Sequence, residues 1–273
     1  MPKFVTVNGL KLGYEERGEH HPEALVLLPG MGYGRWLWSK QLPAFSRHFR
    51  TIALDNRGSG QSDKPPGPYT IKQMAEDVRG LLDALGIERA HLCGISMGGL
   101  IAQEFALSFP GRLNKLVLVA TTAGGSRVVL PDMEVMQFFS GLGVRPPEEN
   151  FEKGLPFVFT PRFLREHPEE IEELRRWMLE REPNPPEATL AQLAAITGFN
   201  AEDRVSQIKS PTLVVGCAED RVMPMENSRF LAERIPNARL MVLKGCGHLA
   251  PIEKAEEFNE VVLAFLLEDG DVG

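Results

Sequence analysis

The segment of residues 94–98 reads Gly-Ile-Ser-Met-Gly, and its two flanks differ in pattern. Residues 90–93 form an apolar run typical of a strand, and residues 100–106 have the composition of a helix. A serine on the sharp turn between such elements needs glycine two residues before and two residues after it, because a β-carbon at either place would crowd the turn. The pattern predicts that the hydroxyl of Ser96 projects from the edge of a sheet into a cleft.

Two interpretations of Ser96 follow from this position. In the first, the serine is a nucleophile, and the free N–H groups and positive dipole end of the following helix face the reacting oxygen. In the second, the serine caps the helix in a glycine-rich turn. The strand and helix on its two sides favour the nucleophile.

The chain alternates strand-like and helix-like segments from residue 1 to 121 and again from 206 to 273. Continuous apolar runs are typical of strands buried on both faces, and Asn8-Gly9 predicts a hairpin turn. This alternation predicts an α/β fold, with a mostly parallel central sheet and helices on both faces. The further predicted strands are residues 24–28, 51–54, 113–120, 212–215 and 239–243, and the predicted helices are 38–48, 71–85, 97–109, 225–235 and 256–267.

The alternation stops between residues 122 and 205. This segment is rich in proline and aromatic residues and holds helical patches at residues 169–181 and 187–198. An insertion of roughly 80 residues is too long for a connecting loop, so we expect a helical cap between two core parts, 1–121 and 206–273. We expect Phe139 and Trp177 to line a substrate pocket beneath this cap, the alternative being that their rings pack inside the cap.

Composition excludes several classes of protein. A net charge of −7 and the lack of any Lys/Arg-rich run argue against a nucleic-acid partner. The N-terminus lacks the apolar core of a signal peptide, and no apolar stretch reaches the roughly 18 residues of a membrane span. Three cysteines, without CxxC spacing, suggest neither a disulfide framework nor a metal site. We expect a cytoplasmic protein without a metal ion or a membrane partner.

A serine nucleophile needs a base, and the base needs an acid that orients it. His248 follows the predicted strand 239–243 in Gly-Cys-Gly-His, and Asp220 follows the strand 212–215, so both reach the carboxyl edge of the sheet with Ser96. The adjacent Glu219 is a rival for the acid, but neighbouring side chains point in different directions. We predict that Ser96, Asp220 and His248 act together.

Acyl transfer also needs hydrogen-bond donors where negative charge develops on the substrate oxygen. The N–H of Met97, at the start of the helix, is one candidate. The other is the N–H of Met31, in the glycine-rich turn of residues 29–34 that follows the first buried strand. A phosphate-binding loop is the weaker interpretation of that turn, since no Gly-Lys-Ser/Thr follows it.

With these residues assembled, the chain resembles the α/β-hydrolase superfamily over nearly its whole length. The motifs that carry the resemblance are residues 94–99 (Gly-Ile-Ser-Met-Gly-Gly), 55–62 (Asp-Asn-Arg-Gly-Ser-Gly-Gln-Ser), 211–216 with Asp220, and 245–248. The resemblance implies that the 55–62 turn braces the active-site loops without transferring protons. One departure is Pro29 where members commonly carry histidine before the glycine of the oxyanion turn. Serine at 96 separates the chain from the epoxide hydrolases and haloalkane dehalogenases, which use aspartate.

The Ser-Met-Gly-Gly motif and the position of the cap look most like the branch that holds esterases, enol-lactonases, C–C-bond hydrolases and cofactor-free haloperoxidases, with the esterases and enol-lactonases foremost. The resemblance implies a serine hydrolase that acts on a small-molecule carboxylic ester or lactone without a cofactor. Two alternatives stay open: C–C bond hydrolysis or cofactor-free perhydrolase/haloperoxidase-type chemistry with the same triad, and a catalytically inert ligand-binding module on the same fold.

Overall fold

A central eight-stranded sheet organises the protein, which is described here by a computed structural model covering residues 2–268. The strands lie side by side in the order β1-β2-β4-β3-β5-β6-β7-β8. The pairs β1–β2 and β2–β4 are antiparallel, and all other pairs are parallel. The strands are β1 (Lys3–Val7), β2 (Leu10–Arg17), β3 (Ala24–Leu28), β4 (Arg50–Leu54), β5 (Ala90–Ile95), β6 (Leu113–Val119), β7 (Thr212–Cys217) and β8 (Ala238–Leu243).

Eleven α-helices occur within residues 2–268, and six of them cover the sheet. Those on one face pack into one apolar cluster with β3, β5 and β6, and those on the other face pack into a second. The helices are α1 (Gln41–Phe45), α2 (Ile71–Ala84), α3 (Met97–Ser108), α4 (Met133–Ser140), α5 (Pro147–Val158), α6 (Pro161–Glu166), α7 (Pro168–Arg175), α8 (Pro186–Thr197), α9 (Met225–Arg234), α10 (Ala250–Glu253) and α11 (Ala255–Leu267).

The predicted α/β architecture is confirmed. Every residue of β3, β5 and β7 is buried, as expected for strands covered on both faces. The hairpin is also confirmed, since Asn8 and Gly9 have φ values of 53° and 76°, and a type I′ turn requires positive φ at both positions.

One predicted helix differs from the structure. In place of a helix over residues 38–48, the chain forms a 3₁₀ turn at Arg35–Trp38 and then the short helix α1. Proline is best tolerated in the first turn of a helix, because it lacks an N–H group and its ring clashes with the preceding turn when it lies further inside. Pro43 is the third residue of α1, so a regular helix cannot begin much earlier than Gln41.

Five helices, α4 to α8, lie between β6 and β7, where the sequence predicts a cap. Four of them begin with proline in the first turn, which suits a position where the N–H group has no helical partner. The two ends of the segment meet at an antiparallel bridge between Gly124 and Asn200, beside a 2.8 Å hydrogen bond from Ala201 N to Ala123 O. The division into domains at residues 122 and 205 stays a prediction.

The predicted helical patch of residues 169–181 is two elements, since a π-helical turn at Arg176–Arg181 follows α7. Within residues 2–268, no helix combines the length and the apolar character that crossing a bilayer would require.

Candidate active site

Ser96 lies on a strained turn between β5 and α3. Its φ of 53° and ψ of −118° fall outside the regions that non-glycine residues ordinarily occupy. Two backbone hydrogen bonds hold the residue there: Ser96 N donates to Val119 O at 2.9 Å, and Thr121 Oγ1 donates to Ser96 O at 2.8 Å. The serine side chain makes no capping hydrogen bond to α3. The capping interpretation of Ser96 is therefore wrong, and the hydroxyl remains available for chemistry.

The two glycines around Ser96 are required by space, as predicted. A β-carbon on Gly94 would lie 2.2 Å from Gly98 O, and one on Gly98 would lie 2.1 Å from Leu28 O. Both distances are far shorter than any van der Waals contact. The turn can therefore pack against β3 only when both positions lack a side chain.

Asp220 and His248 meet at the carboxyl ends of β7 and β8. The distance from His248 Nδ1 to Asp220 Oδ2 is 2.8 Å, and the Asp220 side chain is fully buried. Asp220 Oδ1 accepts hydrogen bonds from Val222 N and Met223 N, each at 2.8 Å. The carboxylate is thus fixed on one oxygen by the backbone and binds the imidazole with the other. When Nδ1 carries a proton toward this carboxylate, a neutral imidazole has its lone pair on Nε2, which is the state a general base needs.

Glu219, the rival for the acid, is exposed to solvent. Its backbone N donates to Cys246 O at 3.0 Å, so the residue joins the two loops through its main chain. Among the hydrogen bonds and ion pairs of residues 2–268, the imidazole of His248 pairs with Asp220 and not with Glu219. The geometry therefore favours Asp220 over Glu219, and the role of Asp220 as the orienting acid stays a prediction.

A third carboxylate, Glu253, holds the loop that carries His248. Its Oε2 accepts from Gly247 N at 2.8 Å, and its Oε1 accepts from Thr160 N at 3.2 Å and from the Thr160 hydroxyl. Nearby, Leu249 N donates to Val158 O at 3.2 Å. Sequence analysis did not identify this role, because Glu253 ends the four-residue helix α10 and has no motif around it.

The two backbone donors predicted for an oxyanion flank Ser96. Met97 is the first residue of α3, where an N–H group has no acceptor within the helix. Met31 belongs to the turn after β3, and that turn approaches the serine closely, since a β-carbon on Gly30 would lie 3.4 Å from Ser96 Cβ. Among residues 2–268, neither the Met31 N–H nor the Met97 N–H donates to a backbone acceptor outside the helices and strands.

The replacement of the usual histidine by Pro29 leaves the oxyanion turn anchored at both ends. Pro29 O accepts from Asn56 Nδ2 at 3.0 Å. After the turn, Arg35 N donates to Asp55 Oδ1 at 2.5 Å. Gln61 N donates to the other oxygen of Asp55 at 3.0 Å. The 55–62 loop therefore braces the turn of residues 29–34, as the resemblance implied, and the binding of an oxyanion by this turn stays a prediction.

A buried group of three charges lies beneath this turn. Arg35 binds Asp55, and its Nη2 lies 2.7 Å from Glu182 Oε1 of the segment between α7 and α8. Burial raises the pKa of both carboxyl groups above their ordinary values, although the guanidinium between them acts in the opposite direction. With all three groups ionised, the cluster would carry one net negative charge.

The two aromatic residues predicted for the pocket occupy different places in the cap. Phe139 is half-buried in a small apolar cluster with Phe157 and Val222. Val222 is two positions after Asp220 in the chain. The Trp177 ring stacks on Trp36, with ring centroids 6.1 Å apart, and the guanidinium carbon of Arg181 lies 4.6 Å from the Trp177 centroid. Their contact with a substrate stays a prediction.

No group of three or more His, Cys, Asp or Glu side chains is placed to hold a metal ion in the part of the chain from residue 2 to 268. The side chains gathered at this sheet edge are a hydroxyl, an imidazole and carboxylates. They are suited to nucleophilic and acid–base chemistry.

Comparison with known proteins agrees with this arrangement. Residues 23–255 match the family model described as the alpha/beta hydrolase fold. The 3-oxoadipate enol-lactonase 2 of Acinetobacter baylyi is 31% identical over 271 residues, which cover 97% of this chain and 98% of the relative. The 2-hydroxy-6-oxononadienedioate/2-hydroxy-6-oxononatrienedioate hydrolase of Burkholderia vietnamiensis is 37% identical, covering 97% of this chain and 95% of the relative.

Among solved structures, the enol-lactonase from Burkholderia xenovorans has a TM-score of 0.89 and 31% identity, and the match covers 97% of this chain and 100% of that one. The matches span both core parts and the helical segment between them. The motifs of the chain, its sheet and these matches agree, and the chain belongs to the alpha/beta hydrolase family.

Proposed function

We propose that this protein is a serine hydrolase that cleaves a small carboxylic ester or lactone through an acyl-enzyme on Ser96. The observation that carries the proposal is the combination of an uncapped serine on a strained turn with a buried Asp220–His248 pair at the same edge of the sheet. A helix cap or a loop histidine would require neither feature.

Each group has one role in the proposed reaction. Ser96 Oγ forms a bond to the acyl carbon while its proton passes to His248 Nε2, and the N–H groups of Met31 and Met97 bind the oxygen that becomes negative. The bond to the leaving oxygen then breaks, and that oxygen takes the proton from His248. Water adds to the acyl-enzyme, gives one proton to His248 and releases the acid, and the proton returns to Ser96 Oγ. Asp220 keeps the imidazole oriented and stabilises its cationic form.

Both ester and lactone substrates fit this scheme, because they differ only in whether the leaving oxygen stays attached to the acyl group. The relative in Acinetobacter baylyi is named as an enol-lactonase, which supports including lactones. None of the proposed steps requires a cofactor.

A fluorophosphonate probe tests the nucleophile directly, because it phosphonylates an activated serine. We expect one equivalent to label Ser96, with no labelling in Ser96→Ala and strongly reduced labelling in His248→Ala. A hydrolysis screen with short and long acyl esters and with lactones then defines the substrate class. Equal turnover by the wild type and Ser96→Ala would contradict the proposal.

Hydrolysis of a C–C bond is the second candidate. It is favoured by the 37% identity with the Burkholderia vietnamiensis hydrolase, whose name gives a dienedioate substrate. The same screen decides between the two, when it includes a 2-hydroxy-6-oxo-dienoate whose ring-cleavage chromophore is lost on hydrolysis. A kcat/KM for this compound well above those for all esters and lactones would favour the second candidate.

A further inference from the structure

Two amide side chains of the cap segment bind the oxyanion turn at one residue, Gly32. Gly32 N donates to Gln192 Oε1 at 2.9 Å, and Asn184 Nδ2 donates to Gly32 O at 2.7 Å. Gln192 belongs to α8 and is fully buried, and Asn184 lies half-buried just before that helix. Both polar groups of the Gly32 backbone are therefore held by residues more than a hundred positions away in the chain.

The other ends of the two amides are held by the 55–62 loop. Gln192 Nε2 donates to Arg57 O and to Ser59 Oγ, both at 2.8 Å. Asn184 Oδ1 accepts from Gly60 N at 3.2 Å. Because a backbone N–H only donates and a carbonyl oxygen only accepts, these partners fix the orientation of both amides. Each amide thus bridges two core loops, and neither can be reversed without losing its hydrogen bonds.

The turn has little else to hold it at this point. Gly32 has a φ of 76°, which favours glycine, and a β-carbon there would have no atom within 4 Å, so packing does not fix the residue. Within the turn, Tyr33 N donates to Gly30 O at a long 3.3 Å. The Met31 N–H shares a peptide plane with Gly30 O, so this long bond supports it directly. The hydrogen bonds at Gly32 N and Gly32 O hold the next two peptide planes, and they therefore help to set the direction of the Met31 N–H.

We infer that Asn184 and Gln192 are positioning residues that set the direction of the Met31 N–H, so that the cap segment completes the oxyanion hole. The inference rests on the proposed function, in which Met31 binds the substrate oxygen. An N–H group stabilises developing charge only when it points at the oxygen, and a misplacement of about 1 Å at a reacting centre can cost on the order of 100-fold in rate. Loss of either amide should accordingly lower kcat more than it alters substrate binding.

The test uses the full-length protein with Gln192→Met and Asn184→Leu, which keep side-chain size and remove the hydrogen bonds. Asn150→Leu is the matched control, because among residues 2–268 the hydrogen bonds of the Asn150 side chain go to Arg145 alone, inside the cap segment. The substrate is 4-nitrophenyl acetate, whose acyl group is too small to report on a pocket. Fluorophosphonate titration of active sites and the melting temperature correct for any loss of folded protein.

We expect kcat per titrated site to fall by about 10- to 100-fold in both amide variants, with KM changed less than about threefold. The inhibition constant of a trifluoromethyl ketone, which forms a tetrahedral oxyanion on the serine, should rise by the same factor as kcat/KM falls. A merely structural role would lower the melting temperature and leave these per-site values unchanged, as we expect for Asn150→Leu.

The outcomes separate this inference from the proposed function. Ser96-dependent turnover with unchanged kcat and unchanged ketone affinity in the folded variants would overturn the inference and leave the proposed function standing. Equal turnover by the wild type and Ser96→Ala would overturn both. If Gln192→Met does not fold, Asn184→Leu provides the same test, because Asn184 is only half-buried and its substitution removes the hydrogen bond to Gly32 O.

Discussion

The helices of the core and the helices of the cap segment differ in how much of their surface is buried. In α3, which follows Ser96, ten of the twelve residues are buried, whereas α4 and α7 of the cap each bury one residue of eight. Apolar residues of the cap nevertheless join both clusters of the core, Ala191 and Ala195 on one face of the sheet and Phe159 and Phe163 on the other. Polar side chains of the cap reach the loops of the candidate site: Glu182 at Arg35, Asn184 and Gln192 at Gly32, and Thr160 at Glu253. Apolar burial therefore stabilises the core and attaches the cap to it, while individual hydrogen bonds connect the cap to the loops around Ser96 and His248.

This difference leads to different expectations for substitutions. Substitutions at the edge of the sheet that carries Ser96 should lower activity or stability by large factors, because each group there is held in a single position by its neighbours. Changes to the half-exposed cap side chains should alter the choice of substrate while the fold persists.

The largest expected effect is at the acid. Asp220→Asn retains an acceptor for Val222 N and Met223 N, but its amide would donate to His248 Nδ1 and force the imidazole into the tautomer that cannot act as base. We expect kcat to fall by about 10³-fold or more with little change in melting temperature. Glu219→Gln is the control and should stay within about twofold of the wild type. If Glu219→Gln loses activity and Asp220→Asn retains it, the acid is assigned to the wrong residue.

The next largest effect is on stability, at the glycine after the serine. In Gly98→Ala the new methyl group would lie 2.1 Å from Leu28 O, so β3 or α3 must move. We expect unfolding free energy to fall by about 3 kcal/mol or more in a urea titration. Gly111→Ala is the matched control, because a β-carbon there would meet no atom within 4 Å. Equal stability of the two variants would show that the contact between α3 and β3 is not as tight as described.

A smaller effect concerns the buried His91 of β5. Neither ring nitrogen has a hydrogen-bond partner among residues 2–268, and a carboxylate oxygen of Glu23 is 3.9 Å from Nε2, beyond hydrogen-bonding distance. Burial, assisted by the charges of Lys115 and Arg89, lowers the pKa of His91 from 6.5 to about 4. The folded protein therefore keeps this imidazole neutral in a pH range where the unfolded chain protonates it.

The sign of the pH dependence follows from this difference. As the pH falls below about 6.5, the unfolded state binds a proton that the folded state does not, so stability falls until the pH approaches 4. The full difference corresponds to about 3 kcal/mol. Urea titrations between pH 7 and pH 4 should show a steeper loss for the wild type than for His91→Leu, which cannot titrate at this position. Identical slopes would mean that His91 contributes nothing to acid sensitivity.

The smallest effect is expected in the cap. Phe139→Ala should change the relative kcat/KM for esters of different acyl size by about tenfold, with a modest decrease in melting temperature, because the ring is half-exposed. Trp177→Ala should shift the ranking in the same kind of assay. Phe4→Ala, which truncates an aromatic ring 48% exposed on β1, is the control. An unchanged ranking together with a loss of about 3 kcal/mol would mean that the rings only pack the cap.

The sequence predicts the core better than the cap, for a physical reason. Strands buried on both faces are largely apolar, and the turn at Ser96 leaves no room for a side chain at Gly94 or Gly98. The strands and the turn therefore each leave a strong local pattern in the sequence. The chain order of Asp220 and His248 after two successive strands then predicts that the two side chains meet, as their 2.8 Å contact shows. These features depend on a few residues that are neighbours in the chain, so they can be predicted from the sequence alone.

The contacts of the cap leave no such pattern. Asn184, Gln192 and Glu253 act through a few hydrogen bonds, most of them to residues distant in the chain, and no motif in the sequence around them indicates these partners. The short helix α1 shows the same limit, since its start depends on the position of one proline. Pairings of this kind become visible only once the sheet has brought the loops together.

The central claim is that hydrolysis proceeds through an acyl-enzyme on Ser96. The pre-steady-state hydrolysis of 4-nitrophenyl trimethylacetate tests this claim most directly. The bulky acyl group slows attack by water, so the acyl-enzyme should accumulate. We predict a burst of one equivalent of 4-nitrophenolate per titrated site, and mass spectrometry of the quenched protein should find one trimethylacetyl group on the peptide that contains Ser96. Turnover that continues without a burst, without acyl on that peptide and at the same rate in Ser96→Ala would contradict the account.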